Sequence, residues 1–112
     1  MQVPLGTRMG FNPRNAAVGF AWATGRWDGS FIPFARSEAE RRAAGDPRPS
    51  LAARYQDRAD YEAKLRASAA AVAAQGFLPA EETDELVRQA GDFYDRIMAH
   101  DPKDTSCGYL YP

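Results

Sequence analysis

Glycine and proline interrupt the first 36 residues so often that no long helix can form there. Gly6, Gly10, Pro13, Gly19, Gly25, Gly29 and Pro33 leave room only for short extended runs between turns. Val18 to Trp22 alternates weakly, and Ser30-Phe31-Ile32-Pro33-Phe34 is a small apolar knot. A segment of this kind has few regular backbone pairs of its own. Its amides and aromatic rings must be satisfied against something else.

From residue 37 the pattern becomes helical. Ser37-Glu38-Ala39-Glu40 is a capping box: Ser37 can accept from the Glu40 amide, and Glu40 can reach back to the Ser37 amide. The short helix that follows is predicted to end at Gly45, in a left-handed conformation. Asp46-Pro47-Arg48-Pro49 forbids continuation, because proline excludes helical backbone for the residue before it. Ser50 then caps a turn over residues 51–55. A long helix is expected from Asp57 or Arg58 to Gln75, with Tyr61, Leu65, Ala69 and Val72 on one face and Gly76 as its stop. A last helix is expected from Pro79 to about Ala99, with Leu86, Ala90, Phe93, Tyr94, Ile97 and Met98 as its apolar stripe. The two stripes should pack as an antiparallel hairpin. The fold class is therefore mainly α: an irregular Gly/Pro/aromatic-rich segment (1–36), two short helices and a helical hairpin (37–100), and a flexible tail (101–112).

With 112 residues the chain is a single domain or a fragment of one. A net charge of -1, with both signs interspersed, lacks the basic field that nucleic acid or an anionic membrane requires. The apolar run from Ala69 to Ala74 is far short of the ~20 residues a membrane helix needs, and no signal-peptide pattern opens the chain. The compartment stays open, with the cytoplasm as default. The single cysteine, Cys107, cannot form an internal disulfide.

Chemistry-bearing residues are sparse. The serines are Ser30, Ser37, Ser50, Ser68 and Ser106, and none sits in a Gly-x-Ser-x-Gly elbow. Ser37 and Ser50 read as helix caps and Ser30 as a turn residue. His100 is the only histidine and falls at the end of the last helix, where the helix dipole favours it. His100, Asp101, Asp104 and Cys107 offer metal-donor types without the spacing of a zinc site. No catalytic residue, cofactor or metal ligand is assigned. A minor enzyme or metal centre at His100 and Cys107 is the weakest of the readings.

What stands out is a set of aromatic residues, Phe11, Phe20, Trp22, Trp27, Phe31 and Phe34. Either they complete a small core over the hairpin, or they form an apolar surface that docks on a partner; a ligand pocket is a third use.

Val3-Pro4-Leu5-Gly6-Thr7, Gly10-Phe11-Asn12 and Gly29-Ser30-Phe31-Ile32-Pro33-Phe34-Ala35 together resemble the C-terminal part of a bacterial family of large α/β-hydrolase domain proteins. The resemblance runs through Glu40-Arg41, Gly45-Asp46-Pro47-Arg48-Pro49-Ser50-Leu51, Arg54-Tyr55, Tyr61 and Gly76-Phe77-Leu78, and covers roughly residues 3–98. The Gly-Asp-Pro-Arg-Pro-Ser run is its most specific element. Ala52-Ala53 departs from the pattern, standing where acidic residues are expected, so the Ser50 cap lacks its reciprocal partner.

The resemblance implies a longer protein that hydrolyses ester-type bonds with a serine triad, its nucleophile upstream. It also implies that the stretch from Val3 is a late strand or loop of the main sheet, and that the helices cover the sheet or wall the cleft. The chain alone would then be inactive, with the missing hydrolase body as its partner. The alternative is an independent small helical module that binds a protein through the aromatic segment; a homo-oligomer is a further partner option.

Overall fold

The computed structural model describes residues 3–10 and 30–100. It contains two short strands, β1 (Gly6–Met9) and β2 (Ser30–Pro33), followed by α1 (Glu38–Ala43), α2 (Leu51–Arg54), α3 (Arg58–Ala74) and α4 (Thr83–Ala99). This is the mainly helical architecture that the residue pattern predicts. The expected extended run at Val18–Trp22 and the expected flexible tail lie outside the described residues.

β1 and β2 pair antiparallel, with Gly6 opposite Pro33 and Arg8 opposite Phe31. One further bond, from the Phe34 amide to the Leu5 carbonyl at 3.0 Å, lengthens the ribbon. Gly6 is required by close approach. A Cβ there would stand 2.5 Å from the Ile32 carbonyl oxygen and 2.7 Å from the Pro33 Cα.

Helix boundaries follow the capping signals. Ser37 accepts from the Glu40 amide at 3.2 Å. The Glu40 carboxylate reaches back to the Ser37 amide as the box requires, but its stronger partner is Arg36, whose amide it takes at 3.1 Å and whose Nε it takes at 2.9 Å. At the other end Gly45 takes φ 63°. Its amide bonds the Arg42 carbonyl and the Asp46 amide bonds the Arg41 carbonyl, which is the Schellman closure. Gly76 (φ 79°) closes α3 in the same way.

The last helix starts later than predicted. A 3-10 turn, Ala80–Glu82, follows Pro79, and α4 proper begins at Thr83. The Glu82 amide bonds the Pro79 carbonyl three residues back, so the first turn is wound too tightly to be α.

α3 and α4 pack antiparallel: Arg58 bonds Asp92 and Asp95, while Arg66, further along α3, bonds the earlier Asp84. Between them Tyr61, Leu65 and Ala69 of α3 are buried, as expected. Val72 is not. It is 36% exposed, while its neighbour Ala73 is half-buried. On α4 the buried line is Val87, Gly91, Tyr94 and Ile97. Leu86, Ala90 and Phe93 are half-buried flanks, and Met98 is 37% exposed. The stripe is displaced because α3 approaches over small Gly91, where the Arg58 and Glu62 side chains lie within 3 Å of where a Cβ would be.

A single core joins both halves. Val3, Leu5 and Phe34 pack with Leu51, Tyr55, Tyr61, Leu65, Val87, Tyr94 and Ile97. Three tyrosines form its centre. The Tyr61 and Tyr94 rings stack at 5.3 Å, and Tyr55 meets Tyr61 edge-on at 5.1 Å. The Tyr55 hydroxyl donates to the Pro4 carbonyl at 2.8 Å.

Candidate functional site

The most distinctive run of the sequence, Gly45 to Ser50, lies where the ribbon meets the helices. Asp46 accepts from the Arg48 amide at 2.8 Å and from its Nε at 2.9 Å. This fixes the Arg48 guanidinium, whose outer face then reaches across to the ribbon. It donates to Thr7 Oγ1 on β1 at 2.9 Å and to the Ile32 carbonyl on β2 at 3.1 Å. The Arg48 fork beside Asp46 holds that carboxyl down to about 2. Asp46 and Arg48 each precede a proline, which biases their backbone toward extended conformations.

Ser50 is fully buried. Its Oγ accepts from the Ala53 amide at 3.3 Å, the cap that the sequence predicts. The reciprocal carboxylate that Ala52-Ala53 cannot provide comes from α1. Ser50 Oγ donates to Glu38 Oε1 at 2.8 Å, and the Ser50 amide lies 3.4 Å from the same oxygen. The first amides of α2 are taken by the Ala35 and Arg36 carbonyls, at 2.8 and 3.1 Å. The whole run is thus an architectural clasp between the ribbon, α1 and α2. Its signal was present in the Asp-x-Arg spacing, but the atoms on which Arg48 acts are distant in sequence.

The aromatic residues divide. Phe34 is buried, with the Arg48 and Arg54 guanidiniums over its ring at 5.2 and 4.3 Å. Phe31 is half-buried against Phe93, ring centres 5.4 Å apart. Phe11, Phe20, Trp22 and Trp27 lie outside the described residues.

His100 is the C-terminal cap of α4. The backbone carries its observed role: the His100 and Met98 carbonyls accept from Arg36 Nη1 at 2.7 and 3.1 Å, a cation on the negative end of the helix. Asp101, Asp104 and Cys107 lie outside the described residues. Ser37 and Ser50 are engaged as caps, and Ser68 borders an open groove of about 780 Å³ between Val3, Tyr55 and the outer face of α3. A second groove, about 510 Å³, is floored by Phe34 and Ile97 and edged by Arg36, Glu40 and His100. Both are open troughs, and neither brings a serine cap and His100 together.

Comparison with known families matches residues 1–88 to a family described as an alpha/beta hydrolase domain. No curated protein and no solved structure matches the chain significantly.

Proposed function

We propose a function from one premise: this chain belongs to the alpha/beta hydrolase domain family. Enzymes of that fold attack esters with a serine held at a sharp strand-to-helix elbow of a mostly parallel sheet. The described residues hold a single antiparallel ribbon. We therefore read the chain as the C-terminal part of an ester-type hydrolase, lacking the nucleophile and inactive alone. Its role is to lend cover or a cleft wall to a hydrolase body carried on other polypeptide.

The observation that carries this reading is the clasp. The Gly45–Ser50 stretch holds a ribbon on helices, through Arg48, Asp46 and Ser50. A piece built in this way presents a surface. The test is hydrolysis of short p-nitrophenyl esters. The purified chain alone should give no turnover above buffer, and mixing it with a family polypeptide bearing Gly-x-Ser-x-Gly should raise that polypeptide's rate. Robust turnover by the chain alone that survives His100→Ala and Cys107→Ala would contradict the reading.

A second reading is favoured by the core. Val3, Leu5 and Phe34 are enclosed by the chain's own helices, as befits a self-sufficient module that binds a protein partner. A cooperative monomer that binds no hydrophobic dye supports the module. Dye binding or oligomers support a missing body.

A further inference from the structure

Three carboxylates sit at the joint where the ribbon meets α1, α2 and the end of α4. Asp46 holds the Arg48 Nε at 2.9 Å, and Arg48 reaches on to Thr7 of β1 and the Ile32 carbonyl of β2. Glu40 holds the Arg36 Nε at 2.9 Å, and Arg36 reaches on to the Met98 and His100 carbonyls at the end of α4. Glu38 takes the Ser50 hydroxyl at 2.8 Å, tying α1 to α2. Asp46, Glu40, Arg36 and His100 line one groove over Phe34 and Ile97, so two of these ties hold its walls together. Acids elsewhere work differently. Asp60 with Lys64, and Glu85 with Arg88, each pair within a single helix. Between α3 and α4, Arg58 and Arg66 bond Asp92, Asp95 and Asp84 at the surface, while Leu65, Ala69 and Val87 form a buried apolar seam.

We propose that this joint is an acid-operated latch: protonation of Asp46, Glu40 and Glu38 lets the ribbon leave the helices before the α3–α4 hairpin unfolds. A neutral acid no longer holds a guanidinium by charge, and a two-stranded ribbon has little stability of its own. Each of the three is held below the ordinary carboxylate range, Asp46 by Arg48, Glu40 by Arg36 and Glu38 by Arg41. Their contribution is therefore present above that range and is lost as pH falls from about 4 to 2. Neighbouring charges add to the loss. Arg41 bonds the Asp46 carbonyl at 2.9 Å, Arg48 and Arg54 share the Phe34 ring, and His100 edges the groove. With the acids neutral, the balance of charge at the joint turns positive and its parts repel. The hairpin keeps its seam under the same conditions, because the burial of aliphatic side chains does not titrate.

The test follows amide protection along the full chain as pH is lowered. Protection in β1 and β2 should fall about tenfold or more as pH drops from about 4 to 2, while the buried face of α3 keeps its protection. Glu40→Gln/Asp46→Asn, which keeps the shapes and removes the charges, should show the same loss, ribbon first, at neutral pH. Glu85→Gln, whose acid pairs within α4, should not. Ribbon and hairpin losing protection together at one pH would overturn the proposal, as would a double variant whose ribbon stays as protected as the parent's at neutral pH. If the double variant does not fold, the pH series on the unaltered chain decides alone.

Discussion

Single residues are held in this molecule by sharply different forces. Tyr61 is buried to 3% exposure, and desolvation pushes its hydroxyl up to about 12. Its neutral form is favoured in the fold, so the stabilisation is fully present below the unfolded value near 10 and is lost as pH rises through 12. Tyr55 and Tyr94 are displaced in the same direction by the same burial. Urea midpoints should therefore fall steeply between about pH 10 and 12, and Tyr61→Phe should flatten that limb; an unchanged slope would refute the burial argument. Asp46 works in the opposite sense. Arg48 holds it near 2, so its contribution is present above the ordinary carboxylate range and disappears as pH falls from about 4 to 2. In Asp46→Asn the acid limb should be shallower by up to one proton in a pH series of midpoints. At Gly6 the constraint is steric. Gly6→Ala should cost about 1–3 kcal/mol, because two of the three atoms in the way belong to backbone and the third is the Phe31 ring, whereas Gly10→Ala, with nothing within 4 Å, should be near neutral. Denaturant titrations of the pair would decide it.

Elements depend on tertiary partners in proportion to their shortness. α3 and α4 have 17 residues each, and their own pattern identifies them. α2, with four residues, exists because Ala35 and Arg36 carbonyls take its first amides and Glu38 completes its cap. The two-stranded ribbon is equally dependent, since an isolated pair of four-residue strands is marginal in water. Arg48→Ala should accordingly cost about 1–3 kcal/mol and accelerate amide exchange in β1 and β2 more than in α3. Uniform acceleration would show that the clasp is not local. Leu65→Ala, at 1% exposure, should cost about 2–5 kcal/mol and loosen the hairpin as a whole.

At the scale of the whole molecule, the ribbon and the hairpin share one core, yet apolar side chains remain outside it. Phe77 is 80% exposed, and Ile32, Val72 and Met98 are each more than a third exposed. Single exposed residues of this kind are ordinary on a protein surface. Among the described residues no helix is long and apolar enough to cross a membrane.

What the sequence determined by itself was whatever depends on neighbours in the chain. Ser37, Gly45, Ser50, Asp57 and Gly76 set helix ends because a cap acts within one turn, and Tyr61, Leu65 and Ala69 announced a buried face by their spacing. The family resemblance was legible over most of the chain, and the family match spans residues 1–88. Only the tertiary structure decided what the Gly45–Ser50 run is for. Arg48 acts on Thr7 and Ile32, and Glu38 on Ser50, across separations that no local rule spans. It also decided the α4 face, where Gly91 and Val87 displaced the larger residues, because burial follows where a partner helix can approach and not the size of the side chain alone.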